Sequence, residues 1–185
     1  MENFSKEQFL MYVKNKTRYD DYYADAYDHL VLEKKWFYWN WGAAFLSFYW
    51  LLYRRMYFEA FVFAVLGTFV YFLAAKIDFY FFTSFSFIVS IFSEAAIFGF
   101  FGLFGTTLYL KCIQKRFEKA KKIPSPSVDE RGVYWAIWPA FIATLLISGL
   151  DVLPETKDLL WLPVGFYFIA LSLYKYQKAR RENIM

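Results

Sequence analysis

A chain of 185 residues with a formal net charge of +4 is long enough for one domain and too weakly basic to argue for nucleic acid as a partner. Its composition departs from that of a soluble protein: 59% of residues are apolar and 25% are Phe, Tyr or Trp, where ordinary domains sit at about 45–50% apolar. The one cysteine, Cys112, excludes an intrachain disulfide and reads as a helix-end thiol without a role.

Residues 1–35 are polar, mixed in charge and without the apolar core of a signal peptide, so insertion is expected to be directed by internal segments. Ser5 followed by Gln8 forms a capping box, and Phe4 with Phe9 fits a hydrophobic staple. In "RYDDYYADAYDHL", Tyr19, Tyr22, Tyr23, Ala26, Tyr27 and Leu30 recur at helical spacing, with Asp20, Asp21, Asp25 and Asp28 between them. The region therefore reads as amphipathic helices outside the bilayer core. Its Tyr stripe is a packing face, or, in the sharper alternative, a face for a partner or a lipid headgroup.

The next segment, 36–53, is apolar but short, and Arg54 and Arg55 close it. Trp36, Trp39, Trp41, Trp50, Tyr49 and Tyr53 are residues of the headgroup level. Spans follow at 57–75 and 87–110, with "KID" between them and a bend or interfacial stretch expected around "FYFFTSFS". The first is about 28 Å long as a helix, matching the hydrocarbon core. Residues 123–132, rich in Pro, Ser and charge, form a linker. The chain closes with a second hairpin, 133–185, whose spans are 133–150 and 159–174. Pro139 lies inside the first of these, where neighbouring groups must satisfy the carbonyl it frees.

Lys and Arg set the orientation. They gather at Arg54–Arg55, along Lys111–Arg131 and in the tail from Lys175 to Arg181, while "KID" and "DVLPETKD" are poor in them. Four spans then alternate with both termini in the cytoplasm. Lys34 and Lys35 precede segment 36–53 and Arg54 and Arg55 follow it, so both of its ends fall on the cytoplasmic side. It is expected to be interfacial or re-entrant.

The order Asn-Trp-x-Ala-Ala-Phe (Asn40–Phe45), then Trp50-x-Leu-Tyr-Arg-Arg-Met-Tyr57, resembles the signature of a bacterial family of small inner-membrane proteins classed as a domain of unknown function. "GLFGTTLYLK" (Gly102–Lys111) resembles a second block, and the likeness covers about Trp36 to Lys122, leaving the C-terminal hairpin outside. Where family relatives have a Gly-Pro pair this chain reads Ser47-Phe48, which weakens the case for a tight break there. The resemblance implies a location in the bacterial inner membrane and no established reaction.

Glu94 is the one acid well inside a span, where a charge costs about 2.5–3.5 kcal/mol on insertion scales. It reads as a polar helix–helix contact or as a proton or ion relay. Gly99, Gly102 and Gly105 give a close-packing or dimerisation face. Arg54 and Arg55, with Asn40 and the Trp cluster, are the candidates for a lipid-facing site. His29 with Asp25 offers too few ligands for a metal. No catalytic constellation and no cofactor are expected. The expectation is an all-α, multi-pass membrane protein with four transmembrane helices, a short interfacial or re-entrant helix and a cytoplasmic amphipathic N-terminal region. Its expected role is non-enzymatic, a scaffold or accessory protein that packs on a second copy or another membrane protein. The alternative is a small transporter or channel subunit using Glu94.

Overall fold

The computed structural model describes residues 5–13, 20–81, 85–119, 129–149 and 160–181. The regular elements among these residues are all helices: α1 (Lys6–Val13), α2 (Asp20–Tyr27), which runs on into a π-helical turn at Asp28–Leu32, α3 (Trp41–Tyr53), α4 (Tyr57–Phe81), α5 (Phe85–Lys119), α6 (Glu130–Gly149) and α7 (Leu162–Arg181). Two stretches, Ile91–Glu118 and Glu130–Ser148, are long and apolar enough to cross a membrane, and α4 carries a shorter apolar stretch, Tyr57–Leu73.

The capping box starts α1. Gln8 N–H donates to Ser5 Oγ and Ser5 N–H donates to Gln8 Oε1, both at 3.2 Å. Phe4 of the expected staple lies outside the described residues. The tyrosine stripe of α2 faces inward: Tyr23, Ala26, Tyr27 and Leu30 are buried, and Phe9 of α1 stacks on Tyr27 at 5.6 Å. Lys6 and Asp28, 2.5 Å apart, pin α1 to the end of α2.

α4 does not stop at Lys76–Asp78, where the sequence reads as a turn, but continues to Phe81. Neither Gly nor Pro interrupts the segment, and the Lys76 ammonium lies 5.7 Å from the Phe72 ring centre, one turn back. The bend expected after it includes residues 82–84, and the expected linker 123–132 includes 123–128; both sets lie outside the described residues, while Glu130–Gly132 at the end of that linker already form the first turn of α6.

Close approaches fix the helix packing. A Cβ on Gly102 would lie 2.6 Å from the Trp39 indole, and one on Gly105 would lie 2.6 Å from the Ala43 methyl, so α3 and the chain before it press against the α5 backbone. A Cβ on Gly165 of α7 would collide with Thr68 of α4. Pro139 denies α6 the hydrogen bond to the carbonyl of Trp135. The Tyr167 hydroxyl of α7 donates to that carbonyl at 2.6 Å instead.

The core lies where α3 meets α5 and the N-terminal helices: Phe9, Leu51, Leu52, Met56 and Ile113 are fully buried. The outer faces of α4, α5 and α6 are the reverse. Phe69, Phe92, Trp138, Phe141 and Leu146 are all more than half exposed. An apolar shell of this extent needs an apolar surrounding or a partner.

Candidate functional site

α3 is too short to cross a bilayer: its 13 residues reach about 20 Å as a straight helix. It is also broken at its middle. Ser47 has φ 36° and ψ −103°, outside the helical region, and its hydroxyl bonds back to the Ala44 carbonyl at 3.3 Å. A break is therefore present at the Ser47-Phe48 pair, which in the sequence weakened the case for one.

Asn40 caps the start. Its Oδ1 accepts from Ala43 N–H at 2.8 Å, and its Nδ2 donates to Thr106 Oγ1 on α5 at 3.0 Å. Asn40 N–H donates to the Gly102 carbonyl at 2.7 Å. The Tyr22 hydroxyl joins this group, 2.9 Å from both Thr106 Oγ1 and the Trp39 carbonyl.

The end of α3 is a Schellman motif. Arg55 N–H donates to the Leu52 carbonyl at 3.0 Å and Met56 N–H to the Leu51 carbonyl at 2.8 Å, while Met56 and Leu51 are both buried. The left-handed position that Gly usually takes is occupied by Arg55, at φ 58°. The preceding Arg54 is 8% exposed and turns inward. Its guanidinium carbon lies 5.0 Å from the ring centres of Tyr23 and Tyr109 and 5.3 Å from that of Tyr53, and it donates to the Tyr23 hydroxyl. Burying a cation without a carboxylate is costly. Three aromatic faces, each worth up to about 2 kcal/mol when desolvated, offset that cost. Burial pushes the Tyr23 hydroxyl up to about 12, with Arg54 pulling the other way, so the phenol stays neutral beside the guanidinium.

Arg116 of α5 is a second inward guanidinium, 4% exposed. It donates to the Tyr12 hydroxyl at 2.9 Å and to the Arg55 carbonyl at 2.6 Å, tying α1 and the end of α3 to α5. Neither Arg54 nor Arg116 forms an ion pair among the described residues.

A third group joins the C-terminal hairpin to the same place. Asp129 caps α6, accepting from Gly132 N–H at 2.8 Å, and its own N–H donates to the Tyr53 carbonyl at 2.9 Å. Its other carboxylate oxygen accepts from Lys175 at 2.7 Å and from the Tyr57 hydroxyl at 2.8 Å. Burial alone would raise this carboxyl, but the bonds from Lys175, Tyr57 and Gly132 hold it below the usual range.

The sequence candidates thus separate. Asn40 and Arg54 are buried and join α3 to α5. Arg55 borders a recess beside Asp129 and Lys175. Gly102 and Gly105 are packing positions within the chain, whereas a Cβ on Gly99 would meet open space. Glu94 is exposed on α5, away from all of these groups. His29 pairs with Glu33 at 3.0 Å, Asp25 accepts from Tyr38 at 2.5 Å, and no three potential metal ligands gather among the described residues.

Tyr23, Thr106, Arg116, Asp129 and Lys175 were not legible as site residues. Arg116 and Lys175 read as topology charges in the sequence. Only Asp129 carried a local signal, an acid directly before a helix start with Gly three positions on. No family model, curated protein or solved structure matches the chain.

Proposed function

We propose that the chain is a multi-pass protein of a bacterial inner membrane and acts as a non-enzymatic scaffold or accessory subunit. α4, α5, α6 and α7 are its four spans, α3 is a re-entrant wedge, and α1 and α2 form a cytoplasmic cap. The motif at Asn40–Tyr57, which resembles a bacterial inner-membrane family, and the exposed apolar shell both support this reading.

The observation that carries the scaffold role is the placement of Glu94. It is exposed nine residues along α5, about 14 Å from the helix start, beside Phe92 at 72% exposure and Ile91 at 51%. A carboxyl facing lipid there costs about 2.5–3.5 kcal/mol. A partner helix that offers a hydrogen bond removes the cost. Among the described residues, Glu94 borders neither the apolar recess between α4, α6 and α7 nor the one beside Arg55.

Glu94→Leu and Glu94→Gln test this by crosslinking in native membranes followed by purification in mild detergent. Association with a second copy or a co-purifying protein should weaken for Leu and survive in part for Gln, with accumulation unchanged. Equal association for both variants and the parent overturns the contact. Loss of an ion or solute flux in Glu94→Gln, with association intact, would replace the scaffold by a transporter.

A further inference from the structure

Arg55 occupies a backbone position that disfavours a side chain. At φ 58° a residue with a Cβ is held at a cost of about 1–2 kcal/mol, and glycine would remove it. The motif closing α3 needs only the backbone of residue 55. What the side chain adds is a guanidinium at the edge of a recess of about 160 Å³, bordered by Arg55, Tyr57, Asp129, Arg131, Lys175 and Lys178. Its Nε–H is buried and meets no hydrogen-bond partner among the described residues.

The recess is cationic. Among the described residues, four basic side chains border it against one carboxylate, and that carboxylate already accepts from Lys175 and Tyr57. Asp129 therefore positions Lys175 more than it neutralises the site. Three converging segments supply the cations: the turn after α3, the first turn of α6 and the last turns of α7. Charges gathered in this way match a phosphate group.

A second recess continues the same seam. About 440 Å³ in volume, it is apolar and lies between α4, α6 and α7, bordered by Ala64, Gly67, Tyr71, Ala140, Gly165 and Phe168 among others. Tyr57, Ala64 and Tyr71 recur every seven residues on α4, as do Phe168 and Lys175 on α7. Seven residues are two turns, so both recesses follow one face of each helix, about 10 Å apart.

We infer that this seam binds an anionic phospholipid, its phosphate among Arg55, Arg131, Lys175 and Lys178 and an acyl chain along the groove beside Gly67. Basic pockets between helices at the cytoplasmic surface hold anionic headgroups in this manner. The inference rests on the membrane reading for the source of the phosphate and is independent of any partner at Glu94.

The test uses the full chain purified in mild detergent and reads binding as a saturable rise in thermal midpoint. The probes are short-chain phosphatidic acid, short-chain phosphatidylcholine and inorganic phosphate. Phosphatidic acid should bind most tightly. Arg55→Gly should weaken it roughly tenfold, while the ligand-free protein is as stable as the parent or more so, because the backbone strain is gone. The pair Arg131→Gln and Lys178→Gln should weaken it at least as much. Gly67→Leu, which fills open space in the groove, should weaken the lipid and leave inorganic phosphate unchanged. Phosphatidylcholine binding as tightly, or Arg55→Gly retaining full affinity, overturns the site. Inorganic phosphate binding as tightly as the lipid, with no effect of Gly67→Leu, overturns the lipid assignment in favour of a free phosphate. A chain that stays soluble without detergent would defeat the membrane reading while phosphate binding could still be read.

Discussion

Asn40 and Arg54 cap opposite ends of α3, yet both reach α5 within a single turn, at Thr106 and Tyr109. A straight helix of this length would part them by about 20 Å. They converge because the helix breaks at Ser47, so the chain runs inward from Asn40 and returns at Arg54. Tyr23 closes the arrangement, bonding to Arg54 and lying within side-chain hydrogen-bond reach of Asn40.

The break should be improvable. Ser47 holds a positive φ of 36°, a conformation that costs a residue with a Cβ about 1–3 kcal/mol. Ser47→Gly is expected to raise the thermal midpoint in detergent, and Ser47→Val, β-branched, to lower it. Equal midpoints for the two variants would mean that the turn is not held in this conformation.

Pro139 and Tyr167 form one unit. Tyr167→Phe strands the Trp135 carbonyl that Pro139 leaves unbonded, which should cost about 1–3 kcal/mol. Pro139→Ala restores a donor within α6, so the double variant should recover most of the loss. A double-mutant cycle in denaturant checks the coupling; additive effects would refute it.

The glycines of α5 should not behave alike. Gly102→Ala and Gly105→Ala drive a methyl into Trp39 and Ala43, and each should destabilise the fold by about 1–3 kcal/mol. Gly99→Ala meets open space and should leave the midpoint of the isolated chain unchanged.

Acid should weaken the docking of the C-terminal hairpin. The Asp129 carboxyl is held below its ordinary value, so its contribution is complete above the unfolded pKa of about 4. It fades as the pH falls through the lower folded-state value. The gap in thermal midpoint between the parent and Asp129→Asn is expected to be full at neutral pH and to close on acidification. A gap that stays constant down to pH 3 would exclude this carboxylate as its source.

The local parts of this fold were readable because their causes are local. Ser5 and Gln8 bond as their spacing implies, the Tyr23–Leu30 stripe is buried, and Pro139 finds an outside donor. The polar site was less accessible. Asn40 meets Thr106 and Asp129 meets Lys175 across long stretches of chain, and neither pair has a pattern of spacing. Arg54 and Arg55 are adjacent and chemically identical, yet one turns into an aromatic cage and the other borders a basic recess. That division follows from the left-handed backbone of Arg55, which the residue type itself disfavours. Lys76 misled in the other direction, since its charge read as a turn and instead rides on a continuous helix.

The proposed re-entrant path of α3 is the centre of the account, and sidedness tests it most directly. With Cys112→Ser as a cysteine-free background, single cysteines at Lys35 and at Glu130 mark the two ends of α3. The first precedes the helix, and the second adjoins Asp129, which bonds to the Tyr53 carbonyl. A membrane-impermeant thiol reagent applied to oriented membrane vesicles should label both from the cytoplasmic face and neither from the other. Labelling from opposite faces would make α3 a crossing and contradict the account.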